Sequence, residues 1–398
     1  MSDLFWPGDH RAGDVMSTAA FLDALVAAEN AWLAALVDSG IAPRAAAADL
    51  RALIRPGDLD EIAAGAERDG NPVTGLVALL RSRADGEASQ WLHRGLTSQD
   101  VLDTALVLCL RDAMKTITDD IGRQLHALVE LTEKHRGTPM LTRTLTQPAL
   151  PGTAGRKFSV WLTAVLDAAE GLKALPPLPV ASGGAAGTFA ATTELAGSPE
   201  AALALARRWA DGLGLAAAHP WHTTRSVITR AGDALVGCCD AWGHLANDIA
   251  AATRTGELYE ESGGGSSTMP HKNNPVLTVL LRRAALTAPP LGATLHAASA
   301  ASVDERSDGG WHAEWATLAT LTRRTVVAAS EAADLLAGLR VGTDRAAANL
   351  AAAQDIRAEQ QKMAELTGRK PAPGYLGATD LLIDTALERA RHYLKDAR

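Results

Sequence analysis

Apolar residues recur at steps of three and four along almost the whole chain, and this pattern restricts the fold more than any other sequence feature. The spacing places one apolar stripe on an α-helix, so the chain is predicted to be nearly all helix. From Thr97 to about Arg340 the periodic segments are long and their connections short, which is typical of an elongated helix bundle. The predicted long helices are Ser98 to Arg136 with a break near Thr118, Pro151 to Leu175, Ser226 to about Leu258, Asn274 to Ser302, and Gly309 to Gly338.

Shorter periodic segments lie on both sides of this bundle. Ser17 is predicted to cap a helix from about Thr18 to Val37 that closes at Gly40, and Glu29 falls on an otherwise apolar face of that helix. The other short helices are predicted from Pro43, near Asp60, from Val73 to about Arg83, and from Asp344 to Gln354, Arg357 to Leu366 and Ala378 to Lys395. The sequence therefore predicts an all-α protein with three helical domains, namely residues 1–100, 101–340 and 341–398.

Charge and cysteine content exclude several classes of protein. The formal net charge of -8 argues against a nucleic-acid or anionic-membrane partner, so an anionic substrate must be met by locally placed cations. Three cysteines give no disulfide framework, which suits a reducing compartment. The start of the chain lacks the pattern of a signal peptide, and no apolar run reaches the roughly 18 residues of a spanning helix. We expect a soluble, cytoplasmic protein.

The stretch from Gly263 to Pro275 combines a mobile backbone with several chemical groups. It reads Gly-Gly-Gly-Ser-Ser-Thr-Met-Pro-His-Lys-Asn-Asn-Pro. Three glycines allow the backbone to move, and Asn274 and Pro275 supply an N-cap and a first residue for the next helix. A polar surface loop before an ordinary capped helix would explain most clusters of this composition. The order of the residues here instead predicts a closing loop hinged on a helix.

A second stretch, residues 93–100, precedes the longest predicted helix and reads His-Arg-Gly-Leu-Thr-Ser-Gln-Asp. Thr97 and Asp100 fit a capping box, which alone would explain them. A helix N-terminus with two hydroxyls and free N–H groups is also a natural carboxylate site. From the residues alone both interpretations stay open.

These stretches, with a third at residues 142–151, resemble segments of the fumarase/aspartase superfamily. The loop is similar to its GSSxMPxKxN segment, residues 93–100 to HxGxTSxD, and residues 142–151 to RTHxQxAxP. Further segments are similar to the 3-carboxy-cis,cis-muconate cycloisomerase branch, namely GGAAGT at 183–188, PWHTTR at 220–225, DER at 304–306 and WHAEW at 311–315.

The resemblance implies a fold, an assembly and a set of site residues. It implies a central five-helix bundle that associates into a homotetramer around a twenty-helix core, with active sites shared between subunits. Ser266 would exchange the proton next to a substrate carboxylate, and Lys272 and Asn274 would bind that carboxylate. A small di- or tricarboxylate substrate is implied, with no cofactor and no metal. The implied substrate-binding residues are His93, Thr97, Ser98, Gln99, Arg143, Thr144, Gln147, Arg225, Ser267, Met269 and Arg306.

Leu145 departs from the superfamily pattern, because most lyase members carry a histidine at this position. That histidine is usually assigned to protonating a poor leaving group such as an amine. A carboxylate leaving group, whose acid has a pKa near ~4, needs no such proton. Leu145 therefore favours the cycloisomerase branch, in which a carboxylate adds to a double bond. Alternatives are a lyase that releases fumarate with nitrite or an amine, another residue that supplies the acid, and a non-catalytic structural relative.

Overall fold

The computed structural model describes residues 3–261, 264–265, 269 and 272–396. Within these residues it contains fourteen α-helices and two small antiparallel sheets, which confirms the predicted all-α fold. The helices are α1 Thr18–Asp38, α2 Asp58–Asp69, α3 Pro72–Arg83, α4 Gly86–Trp91, α5 Ser98–Lys134, α6 Ala154–Lys173, α7 Ala190–Ala196, α8 Pro199–Leu213, α9 Ser226–Arg254, α10 Val276–Ala300, α11 Gly309–Ala337, α12 Thr343–Ala352, α13 Ala358–Thr367 and α14 Thr379–Asp396. The strands are β1 Pro139–Thr144 paired with β2 Gln147–Thr153, and β3 Leu258–Glu260 paired with β4 Leu339–Val341.

The five long helices α5, α6, α9, α10 and α11 pack against one another as a central bundle. α9 shows why the sequence folds this way, since Ile228, Leu235, Trp242, Leu245 and Ile249 form one helical stripe and are all buried. α5 alone has 37 residues, and a rise of 1.5 Å per residue makes it about 55 Å long. The bundle therefore has two widely separated ends.

Contacts between the helix ends define what each end of the bundle contains. The Thr97 end holds the start of α5, the start of α9 and the connection from α10 to α11, because Asp103 contacts both Arg225 and Trp311. The hairpin end holds the β1–β2 hairpin after α5, and also β3, β4 and the start of α10, because β3 follows α9 and pairs with β4.

Several predicted helix limits were wrong. α5 has no break at Thr118, whose hydroxyl donates to the carbonyl of Met114 one turn earlier. Pro151 lies in β2, and α6 begins only at Ala154 after its cap Thr153. At Pro43 there is a single 3₁₀ turn in place of a helix.

The start of α10 also differs from the prediction that Asn274 caps it and Pro275 begins it. The helix begins at Val276, and the carboxylate of Glu260 accepts hydrogen bonds from the N–H groups of Leu277 and Thr278 at 3.1 and 2.8 Å. A carboxylate at a helix N-terminus satisfies unpaired N–H groups and suits the helix dipole. Glu260 therefore caps this helix from a neighbouring strand.

α1 is the one helix among the described residues that is long and apolar enough to span a membrane, by length and composition only. More than half of its most apolar window, 56%, is buried inside the protein. Its Trp32 donates a hydrogen bond to the carbonyl of Arg94 at 2.8 Å. This burial and this hydrogen bond are typical of a core helix, and they explain the apolar sequence of α1. The division into three domains stays a prediction, with one boundary falling inside α5 and the other inside β4.

Candidate active site

Thr97 and Ser98 lie at the N-terminus of α5, where the predicted capping box is present. The backbone N–H of Thr97 donates to Oδ2 of Asp100 at 2.9 Å. Both hydroxyl residues are only half-buried. The start of α5 therefore presents two hydroxyls and the positive end of a long helix, which together favour an anion.

Arg306 reaches this helix start from the connection between α10 and α11. Its Nη2 donates to the hydroxyl of Thr97 and to the carbonyl of Ala185. A guanidinium carries five N–H donors, and within the described chain Nε and Nη1 of Arg306 have no hydrogen-bond partner. Arg306 therefore keeps donors that can bind a carboxylate next to the Thr97 hydroxyl.

Asp100 ties two further segments to the start of α5. Its Oδ1 lies 2.8 Å from Nε2 of the buried His222, and its Oδ2 accepts a bond from the N–H of Gly184 at 3.1 Å. A Cβ on Gly183 would lie 2.9 Å from the His222 ring, so only glycine fits there. This pairing could not be predicted from sequence, because Asp100 and His222 are 122 residues apart and neither has a local signal for the other.

Arg225 corrects a prediction, because it is not available to a substrate. Its side chain is fully buried and pairs with Asp103 and Glu314, each at 2.6 Å. Burial opposes its charge, but the two carboxylates raise the pKa of Arg225 above its ordinary value. Burial also raises the pKa of Glu314, although Arg225 acts against this. Trp311 donates to Asp103 at 2.8 Å. Arg225 therefore joins α5, α9 and α11 beneath the site.

Gln99 is the second correction. Its side chain is fully buried, and its amide nitrogen donates to Oδ2 of Asp103 at 3.2 Å and to the carbonyl of His222 at 2.9 Å. The amide therefore belongs to the buried network under α5 and does not reach the Thr97 and Ser98 hydroxyls.

His93 lies on the approach to α5 and contacts α1. Its Nδ1 is 2.5 Å from Oε1 of Glu29, whose side chain is fully buried. The backbone of His93 has a φ of 60°, a left-handed conformation that is uncommon for a residue other than glycine. His93 is thus held by Glu29, four residues before Thr97 in the chain.

The hairpin end carries a tight turn with an exposed leucine. Thr144 and Gln147 close the turn, and the two residues between them, Leu145 and Thr146, have φ values of 48° and 71°. The Leu145 side chain is 95% exposed. Left-handed backbone at branched residues is costly and tends to be kept at functional sites. The turn therefore projects an apolar side chain away from its own chain.

Arg143 lies in the same hairpin but is engaged within its own chain. Its Nη1 and Nη2 each donate to Glu257 at 2.8 Å, in the bidentate geometry expected for a substrate carboxylate. Burial would raise the pKa of Glu257, but the hydrogen bonds from Arg143 and Asn349 hold it below its ordinary value. Glu257 therefore engages Arg143 within this chain, and substrate binding by Arg143 stays a prediction.

The loop before α10 is closed at its base by paired backbone groups. Gly264 and Asn274 exchange two hydrogen bonds of 2.9 and 2.8 Å. Lys272 is exposed, and its N–H donates to the carbonyl of Met269 at 3.0 Å. Ser266 and Ser267 lie outside the described residues. The base of the loop therefore lies at the hairpin end, where Asn274 pairs with Gly264, and closure of the loop stays a prediction.

The predicted site residues fall into two groups that cannot meet in one chain. His93, Thr97, Ser98 and Arg306 lie at the Thr97 end, whereas Leu145, Lys272 and Asn274 lie at the hairpin end. α10 runs between the two ends with 25 residues, so they are separated by at least about 35 Å.

Comparison with known proteins gives matches over most of the chain. The profile of a family described as Lyase matches residues 19–288. A nitrosuccinate lyase of Streptomyces davaonensis is 44% identical over 349 residues, covering 84% of this chain and 73% of the relative. A 3-carboxy-cis,cis-muconate cycloisomerase of Bradyrhizobium diazoefficiens is 37% identical over 341 residues, covering 82% of this chain and 74% of the relative.

A solved structure matches nearly the full length. The 3-carboxy-cis,cis-muconate lactonizing enzyme of Pseudomonas putida superposes with a TM-score of 0.85 at 28% identity, covering 96% of this chain and 97% of that one. The family match, the identity of these relatives and the shared helical architecture agree with one another. This chain belongs to the lyase family of the fumarase/aspartase superfamily.

Proposed function

We propose that this protein is a 3-carboxy-cis,cis-muconate cycloisomerase, which closes a tricarboxylate diene into 4-carboxymuconolactone in protocatechuate degradation. A carboxylate oxygen of the substrate forms a bond to one alkene carbon, and a proton is added to the neighbouring carbon. The observation that carries the proposal is the hairpin tip, where Leu145 projects and residues 144–147 offer no ionisable side chain. Ring opening expels a carboxylate, which needs no acid at that tip.

The Thr97 end supplies the binding site for a substrate carboxylate in this proposal. The free donors of Arg306 pair with one carboxylate, and the hydroxyls of Thr97 and Ser98 with the N-terminus of α5 bind the same group. His93 binds a neighbouring carboxylate. The chain carries a net charge of -8, so these local donors have to provide the attraction for an anionic substrate.

The hairpin end supplies the proton transfer. Ser266 exchanges the proton at the carbon next to a carboxylate, and Lys272 and Asn274 bind that carboxylate while it carries the charge of an enolate-like intermediate. A serine is a weak base, so its alkoxide requires nearby cations and N–H groups in a site that excludes water. The proposal also assigns substrate binding to Thr144, Gln147, Ser267 and Met269. Acid–base chemistry of this kind needs no cofactor.

A complete site is formed between subunits of a homotetramer. The support is the separation of the two residue groups along the bundle, because a small carboxylate cannot bridge a gap of at least about 35 Å. In this proposal the exposed tip of the hairpin enters a site on another subunit. We place the protein in the cytoplasm, where its cysteines, which are free and buried, stay reduced.

A second candidate function is the release of nitrite from nitrosuccinate with formation of fumarate. The relative named nitrosuccinate lyase is 44% identical to this chain. Nitrite is also a leaving group that needs no strong acid, so Leu145 suits this reaction as well.

One experiment separates the two functions. The purified protein is given 3-carboxy-cis,cis-muconate, and the ultraviolet absorbance of the conjugated diene is followed. A parallel sample receives nitrosuccinate, and released nitrite is measured. The proposal expects loss of diene absorbance with a kcat/KM at least about 10⁴ M⁻¹s⁻¹, the lower range of natural enzymes. Nitrite release at that efficiency, with the diene unchanged, would replace it with the second function.

A further inference from the structure

A buried carboxylate on α1 has no role in the function proposed so far. Glu29 lies on the inner face of α1 among Leu22, Leu25 and Trp32, and its side chain is fully buried. A buried carboxylate is costly unless it is paired and hydrogen-bonded. Its nearest polar partner in the described structure is the ring of His93, 64 residues later in the sequence.

Within the described residues, the Glu29 carboxylate forms a hydrogen-bond contact with one side chain, that of His93. Oε1 of Glu29 lies 2.5 Å from Nδ1 of His93, and Oε2 is buried without a hydrogen-bond partner in the described residues. Arg81 is a second charged group near Glu29. It makes no ion pair with Glu29 within 4.0 Å, and its Nη2 donates to the carbonyl of Leu92. Among the residues that the structure describes, the carboxylate therefore has one hydrogen-bonding partner, the imidazole.

The loop that carries His93 is fixed from both sides. Trp32 donates to the carbonyl of Arg94 at 2.8 Å, and Thr192 donates to the carbonyl of Gly95 at 3.1 Å. His93 itself holds a left-handed backbone with φ of 60°, and such a conformation persists where the surroundings enforce it. The ring can therefore turn only a little, and its orientation is set by the contact with Glu29.

We propose that Glu29 is a positioning residue that keeps a proton on Nδ1 of His93 and directs Nε2 toward the carboxylate site at Thr97 and Arg306. This role rests on the proposed function for its consequence in catalysis. Nε2 is on the opposite edge of the ring from Nδ1, and the ring is 16% exposed whereas Glu29 is not exposed at all. Within the described residues Nε2 has no hydrogen-bond partner. The proton on Nδ1 donates to Glu29, and a proton on Nε2 is what the ring needs in order to donate to a substrate carboxylate.

The protonation of His93 can be read directly by nitrogen NMR on full-length protein labelled with ¹⁵N-histidine. A His93→Asn variant removes the His93 signals and so assigns them. The wild-type spectrum should show a proton on Nδ1 of His93, and Glu29→Gln should change that signal. The matched control is Glu331→Gln, which neutralises another fully buried carboxylate, one on α11, and should leave the His93 signal unchanged.

Kinetics on the diene give the second reading. Glu29→Gln should raise KM roughly tenfold or more, the weight of a hydrogen bond to a charged group, while kcat stays within about twofold. A wild-type spectrum in which Nδ1 of His93 carries no proton would overturn the proposal. So would a Glu29→Gln protein with an unchanged KM. A wild-type protein inactive on both substrates would contradict the proposed function instead, and the spectrum alone would then decide the role of Glu29.

Discussion

Replacing Arg225 and Arg306 separately by methionine tests the distinct roles that the structure gives to two arginines. Arg225 is fully buried between Asp103 and Glu314, whereas Arg306 is half-buried and keeps free donors beside Thr97. Arg225→Met leaves two buried carboxylates without their cation. Removing one partner of a buried ion pair lowers the free energy of unfolding by about 3–5 kcal/mol.

The size of the thermal effect follows from the length of the chain. Unfolding entropy of about 2.1 cal/mol/K per residue over 398 residues amounts to about 0.8 kcal/mol/K. A loss of about 3–5 kcal/mol therefore lowers the melting temperature by about 4–6 °C. Arg306→Met removes a partly exposed side chain from a loop, so its melting temperature should change by less than about 1 °C.

Calorimetry and steady-state kinetics on both variants, at one protein concentration, provide the comparison. Arg306→Met should lower kcat/KM by about 10²-fold or more, because a bidentate contact to a charged group is lost. Arg225→Met should have a lower melting temperature than wild type, and its loss of activity should come mainly from unfolded protein. An Arg225→Met protein with the wild-type melting temperature and a raised KM would refute the assignment of Arg225 to the buried network.

Two further variants test single positions. Burial raises the pKa of Glu331 to about 7 from its ordinary 4.5, although the charges of Arg283 and Arg11 act against this shift. The folded protein therefore holds the proton of Glu331 more tightly than the unfolded chain does. The contribution of Glu331 to stability falls as pH rises from about 4.5 to about 7. Glu331→Gln should therefore be more stable than wild type at pH 8, by up to about 3 kcal/mol, with little difference near pH 5, as measured by urea unfolding; equal pH profiles would contradict this. Leu145→His should leave diene turnover unchanged or lower, because histidine tolerates the left-handed backbone at this position and a carboxylate leaving group needs no acid. A bell-shaped pH profile gained on the diene would show that an acid is useful there.

Helices with strong local signals were predicted well. Ser17 accepts a hydrogen bond from the N–H of Ala20, and Gly40 follows the end of α1 with φ of 71°, as the sequence indicates. The β1–β2 hairpin was missed because its turn is made by Leu145 and Thr146, neither of which is a usual residue for positive φ. The cap of α10 was assigned to Asn274 because the actual cap, Glu260, comes from a strand that local patterns do not reveal.

The site was predicted in part, and the errors have a common cause. Thr97 and Asp100 form the expected capping box, because all of its atoms lie within one turn of chain. Arg225 and Arg306 look alike in the sequence, and only long-range neighbours separate them. The partners of Arg225 lie 122 and 89 residues away, and they decide its burial. The sequence placed Glu29 on an otherwise apolar helix face, but its partner His93 was not predicted.

The most direct test of the account is whether the Thr97 end of one chain works with the hairpin end of another. Arg306→Met and Ser266→Ala proteins, each expected to be strongly impaired alone, are mixed, dissociated mildly and reassociated, and diene turnover is measured. If sites are shared between chains, hybrids should recover part of the wild-type activity, because some sites then combine an intact Arg306 with an intact Ser266 from different chains. Hybrids confirmed by mass spectrometry that remain as inactive as the separate variants would contradict it.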